Sequence, residues 1–278
     1  MMKNKWMPSI IFGLVIIMGY FLWNPSTEES ITYFPPNPTL TFKDASTTLV
    51  VKPNDNLDYF TLAYESQSVL PTEVYLRQDI GVVYFNGLLQ VATTQWKRNA
   101  STIKLSSSVK ETTGGLAEAF TFHHGEEHDG DDEITSVQTI SSAEVGVVFK
   151  KGTSPKEISL NENSPFLKEK KNREQQIVDS FDREKEPVEN YLILTLSDIS
   201  RNDFIFPGQS EVQSKATLGR LMEGLYKELF LLATKKSTAS TEGSTLPIIL
   251  YAKDSSHLKV ISKKLDGTWI ELRQNITP

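Results

Sequence analysis

Asn86-Gly87 stands between two apolar, strand-like runs, and this pair constrains the fold more than any other feature of the chain. Val82, Val83, Tyr84 and Phe85 lead in; Leu88, Leu89, Val91, Thr93 and Thr94 lead out. Asn-Gly supplies the positive φ angles of a two-residue type I′ turn, so residues 81–96 read as a β-hairpin. Strand-like patterning continues over residues 40–51, around Ile103 and Leu105, and over 117–122, 134–140 and 145–149. Gly114-Gly115 breaks the run.

The pattern then changes. Ser164-Pro165 offers a capping hydroxyl followed by proline at the first helical position, and Pro187 ends the helix that follows over 166–186. Its only apolar stripe is Ile177, Val178 and Phe181, so most of its surface is expected to face solvent. Residues 191–196 form a short strand, apolar on both faces and therefore central. Residues 217–234 carry Leu218, Leu221, Met222, Leu225, Leu229 and Leu232 at helical spacing, which is the mark of a core-facing helix. Residues 246–252, 258–261 and 268–272 are the last strands, with Asp266-Gly267 turning before the final one.

The N-terminus carries a different signal. Lys3 and Lys5 precede an uncharged run over residues 8–23, bracketed by Trp6 and Trp23 and followed by Glu28 and Glu29. As a helix, the span from Trp6 to Trp23 is about 27 Å long, near the lower limit for a hydrocarbon core. Bulky aromatics fill the places where a signal-peptide cut needs small residues. The reading is an uncleaved signal anchor with its N-terminus in the cytoplasm. The expected fold class is therefore α+β: an N-terminal transmembrane helix, then a mainly antiparallel strand-rich domain with two longer helices in the C-terminal half. The expected divisions are a basic tail (1–7), the anchor (8–23), a proline-rich stalk (24–39), a strand-rich lobe (40–150), a charged helical connector (151–190) and an α+β lobe packed on the first (191–278).

A net charge of −6 disfavours non-specific nucleic-acid binding. Without any cysteine, thiolate catalysis, cysteine-ligated zinc and disulfides are excluded. Together with the anchor, this suggests a bacterial cell-membrane protein whose C-terminal domain faces outward.

The segment 123–133 (HHGEEHDGDDE) has the greatest chemical potential: three histidines, six acids and no base. Imidazole and carboxylate are ligands for divalent metals, so His123, His124, Glu127, His128, Asp129 and Asp131 are the candidate metal-site residues. His124 to His128 matches the inverted zinc-protease pattern H-x-x-E-H, but Gly125 and Gly130 favour a loop over the helix that motif needs. The simpler reading is a solvated hairpin tip. A third has the strand running on through His123 and His124, with one facing the core and the other facing out. Elsewhere, Ser107 to Lys110 and Ser256 to Lys259 match S-x-x-K without its companion motifs. Ser197-Asp198 follows a strand end but has no evident histidine partner.

The layout, with the hairpin at 82–96 and the FHHGEEH segment, resembles the uncharacterised single-span, signal-anchored exported proteins of Bacillus-type bacteria. That resemblance implies an envelope location and names no activity. The sequence thus supports a membrane-tethered extracytoplasmic module, a non-enzymatic sensor, scaffold or assembly partner held by its N-terminal helix and meeting an envelope protein partner. The alternative is a metal-binding protein or metal-dependent hydrolase using a divalent cation at 123–133.

Overall fold

In the computed structural model, residues 32–130, 133–201, 204–234 and 242–276 are described. Strand β1 is Asp44–Pro53, β2 Phe60–Phe85, β3 Leu88–Glu111, β4 Gly115–Asp129, β5 Glu133–Val148 and β6 Lys156–Ile158. They form one six-stranded antiparallel sheet in the order β1-β2-β4-β5-β6, with β3 also paired to β2. At 26 residues, β2 is far longer than an ordinary strand. It bends where its register with β3 shifts, between Val69 and Val74. Pro71 lies in that bend and has no N–H to give to a ladder. Before the bend, β2 lies between β1 and β3; after it, between β3 and β4. The sheet therefore curls into a half-barrel.

Alternation gives the curled sheet two buried faces. The concave face carries Phe60, Leu62, Tyr64, Val83, Phe85, Ala117 and Ala119. The convex face carries Ile80, Val82, Tyr84, Phe120, Phe122 and Ile140, and belongs to the largest core cluster. Asn86 and Gly87 make the β2–β3 turn with φ of 51° and 78°, as the type I′ turn requires.

Helix α1, Pro165–Glu184, precedes the second sheet. Its proline stands at the helix start, but the Ser164 hydroxyl makes no capping bond. Strand β7, Tyr191–Thr195, leads into a one-turn helix α2, Leu196–Ile199, closed by a capping box between Thr195 and Asp198. Helix α3, Glu211–Leu225, continues through a π-helical turn, Tyr226–Phe230, into α4, Leu231–Thr234. Strands β8, Ile248–Ala252, β9, His257–Lys263, and β10, Trp269–Asn275, complete a four-stranded antiparallel sheet ordered β10-β9-β8-β7. One face of this sheet meets Val178 and Phe181 of α1 through Ile248, Leu250 and Ile261. The other shares the main core with Leu221, Met222, Leu225 and Leu229 and with the convex face of the half-barrel. Gly224 lets the helix approach β10: a Cβ there would lie 2.6 Å from Leu272 Cδ2.

Three expectations are corrected. The transmembrane helix expected over residues 8–23 lies outside the described residues. Among the described residues, no helix is long and apolar enough to cross a membrane. The longest, α1, has ten charged side chains in its 20 residues. The fold class is corrected to a strand-rich antiparallel one, with a half-barrel sheet, a second sheet and few helices. The structure gives no support to a signal anchor or to a single-pass cell-membrane location. The segment expected as a solvated tip is also largely strand: β4 runs through to Asp129 and pairs with β5 along its whole length.

Candidate ligand-binding site

The histidine segment does not converge on a point. His123 lies on the concave face of β4 and is fully buried, with Nδ1 2.7 Å from Asp79 Oδ2 and Nε2 2.8 Å from Ser141 Oγ. His124 points to the opposite face, where its Nε2 lies 3.2 Å from Glu126 Oε1. His128 stacks on Tyr75, its ring centroid 3.8 Å away, and sits 3.7 Å from Glu126 Oε2. Glu127 accepts a 2.7 Å hydrogen bond from Asn37 Nδ2. The Asp129 side chain and all of Asp131 lie outside the described residues. Among the described residues, no group of three or more His, Asp or Glu side chains is placed to hold a metal ion.

His123 belongs to a buried polar chain. Asp79 stands directly opposite it in the β2–β4 ladder. Ser68 Oγ donates to Asp79 Oδ2 at 2.6 Å, and buried Arg77 donates to the carbonyls of His124 and Ser101 and to Ser68 Oγ. Beyond Ser141, Thr47 Oγ1 lies 2.6 Å from both Ser141 Oγ and Thr121 Oγ1, and Thr121 meets Tyr64 Oη at 2.7 Å. Burial pushes the Tyr64 phenol up to about 12. Asp79, His123 and Ser141 have the bonding order of a nucleophile relay. Their setting argues against that role: Ser141 Oγ is held between His123 and Thr47, and the imidazole has no exposed surface. The chain instead ties β1 across β4 and β5 and gives most of its polar atoms a partner, Asp79 Oδ1 having only the Arg77 guanidinium at 3.7 Å.

The groups with orphaned polar atoms and an open cavity lie on the convex face. Tyr84, Glu118 and Glu144 form one row, each directly opposite the next across β2, β4 and β5. Like charges directly opposite repel. Lys170 of α1 enters between them: its Nζ lies 2.6 Å from Glu118 Oε1 and 2.6 Å from Glu144 Oε1, and donates to Ser197 Oγ at 2.8 Å. Ser197 Oγ in turn donates to Glu144 Oε1 at 2.8 Å. Lys170 thus engages Glu118 Oε1 as an ion pair. Glu118 Oε2, Tyr84 Oη, Glu174 Oε1 and Arg173 Nη2 are buried with no hydrogen-bond partner in the structure.

Electrostatics follow from this packing. Burial, only partly offset by Lys170, raises the Glu118 carboxyl above the ordinary range. Burial also pushes Glu174 up to about 7. It raises the Tyr84 phenol well above its usual value, with the Glu118 charge adding to the effect. Burial alone would discharge Lys170; the charges and hydrogen bonds of Glu118 and Glu144 outweigh it and raise its pKa. The lysine is therefore a fixed ammonium among carboxylates that exceed it in number.

These groups face a cavity of about 230 Å³ lined by Asn86, Gly87, Leu88, Glu118, Lys170, Arg173, Glu174, Ile177 and Leu246, among others. The β2–β3 turn forms one wall and α1 another. Part of this was open to sequence reasoning. Glu118 shares the strand phase of Phe120 and Phe122, and Lys170 and Glu174 lie four residues apart in line with Val178, on the buried stripe of α1. Ionisable residues in an apolar phase signal a buried polar site. No family model matches the chain, and no curated protein matches it significantly.

Proposed function

We propose that this chain is a non-enzymatic binding module that senses a small polar molecule in the cavity between α1 and the Asn86-Gly87 turn. One observation carries this reading: Glu118 is 1% exposed, lines the cavity and has an oxygen, Oε2, without a partner. A buried carboxylate left in that state is costly, and a ligand with a donor group would relieve it. The surroundings favour binding over turnover. Lys170 is held as an ammonium, so it cannot serve as base to Ser197 in the manner of a serine–lysine dyad. Leu88, Ile177 and Leu246 supply an apolar wall beside the polar groups, the usual composition of a small-molecule site.

The test is a thermal-shift screen of the purified chain against a panel of amino acids, primary amines, sugars and small organic acids. At least one compound is expected to raise the melting temperature, because a ligand that binds only the native state stabilises it. Ile177→Trp, which fills the cavity, is expected to abolish that rise while leaving the circular dichroism spectrum unchanged. A panel without any hit, or a hit that survives Ile177→Trp, would overturn the reading.

A further inference from the structure

Three of the residues that line this one cavity carry a buried orphaned polar atom, and these atoms are of two kinds. Glu118 Oε2 and Glu174 Oε1 are acceptors without donors, whereas Arg173 Nη2 is a donor without an acceptor. Lys170 cannot satisfy the acceptors, because its ammonium is engaged by Glu118 Oε1, Glu144 and Ser197. Nor can Glu169 satisfy Arg173 Nη2, since it sits 3.8 Å from Nη1 on the exposed side. The Arg173 stem is held against the turn: a Cβ on Gly87 would lie 3.3 Å from its Nε. The guanidinium is partly exposed at the cavity rim, with its Nη2 buried.

We propose, building on the binding role assigned to this cavity, that its ligand is a free α-amino acid with an apolar side chain. Its ammonium is received by Glu118 and Glu174, and its carboxylate by Arg173. The match is chemical and geometric. An α-amino acid carries several N–H donors and a carboxylate on adjacent atoms. The site carries its acceptors and its donor on Arg173 and Glu174, consecutive residues of α1, with Glu118 alongside. The side chain would lie on Leu88, Ile177 and Leu246. Size also fits: an apolar cavity of about 150 Å³ accepts benzene, and this one, at about 230 Å³, has room for one amino acid. A simple amine would leave Arg173 unpaired. A simple acid would put a second anion among Glu118, Glu144 and Glu174 with no ammonium to balance it. Burial places Glu174 at about 7, so its charged, ammonium-binding form becomes dominant as pH rises through neutrality.

Isothermal titration of the full chain with L-leucine, isoamylamine and 4-methylpentanoate tests this, with L-methionine and L-phenylalanine as further side chains. The expected result is one-to-one binding of at least one of the amino acids. The leucine analogue lacking either charge should bind about tenfold or more weakly. Glu118→Gln and Arg173→Met should each weaken binding by a similar factor. Melting of each variant without ligand confirms its fold, and Arg173→Met, at the rim, keeps the test open if Glu118→Gln fails to fold. Equal binding of isoamylamine and leucine, or of 4-methylpentanoate and leucine, would overturn the amino-acid assignment and leave the binding role of the cavity standing. So would binding of none of the three amino acids when another panel compound is blocked by Ile177→Trp. If no panel compound binds, both readings fall.

Discussion

Glu118 and Glu144 stand directly opposite each other on β4 and β5, and the Lys170 ammonium lies 2.6 Å from a carboxylate oxygen of each. Two acids placed in register on a covered sheet face can persist only because a helix delivers a cation between them. This ties the half-barrel to α1 and creates the site.

Removing that cation should therefore be severe. Lys170→Met leaves two carboxylates facing each other without compensation, and breaking a buried pair in this way costs about 3–5 kcal/mol. Adding Glu118→Gln to Lys170→Met should restore part of the loss, because one buried charge is then removed. Urea denaturation of the single and double variants measures both effects; a double variant no more stable than the single would contradict the arrangement.

Stability should also depend on pH through Glu174. Burial is the main cause that puts its carboxyl at about 7, with Lys170 opposing and Glu118, Asp198 and Glu144 reinforcing. A carboxyl with a raised folded pKa holds its proton more tightly folded than unfolded. Its contribution is complete below the ordinary value of 4.5 and is lost as pH rises through about 7. Glu111, also pushed up to about 7 by burial, titrates in the same window. Unfolding free energy is expected to fall across that range, and Glu174→Gln to reduce the fall by about 1–2 kcal/mol after allowance for solvent screening. Denaturant melts at about pH 5 and about pH 8 decide this, and an unchanged difference in the variant would count against it.

The buried Asp79–His123–Ser141 chain should behave as structure. Ser141→Ala removes one link and is expected to cost about 0.5–2 kcal/mol. Asp79→Ala leaves Arg77 and His123 without their carboxylate and is expected to cost about 3–5 kcal/mol. A fluorophosphonate probe should leave Ser141 unlabelled in the native protein, because its hydroxyl is held between His123 and Thr47. Labelling that depends on His123 would show that the relay is chemically active.

Divalent metal should not bind stoichiometrically at residues 123–133. His123 and His124 are adjacent in one strand and so point to opposite faces of the sheet. Titration with zinc and with calcium, followed by melting with and without chelator, is expected to show no saturable stabilising site. A stabilising one-to-one site lost in His124→Ala and His128→Ala would contradict this.

Local signals were well legible in the sequence. The Asn86-Gly87 turn, the alternation on both sides of it, the proline that opens α1 and the leucine stripe of α3 each act over a few residues and each found its place. The candidate site is less legible in the sequence. Metal-ligating residue types cluster at 123–133, yet neighbours along a strand point to opposite faces. Glu118, Lys170 and Glu174 are scattered among ordinary charged residues, and only their phase with Phe120, Phe122 and Val178 sets them apart.

The sequence by itself determined where the chain turns, which stretches are strands and helices, and which chemistries its residue types exclude. The tertiary structure alone decided that β2 bends and exchanges β1 for β4 as its neighbour, that both sheet faces become buried, and that Lys170 meets Glu118 and Glu144. The physical reason is range. Turns and periodicity depend on neighbouring residues, whereas a buried ion cluster forms only when strands and a helix distant in sequence pack together, and its charges are tolerated only where that packing supplies a partner.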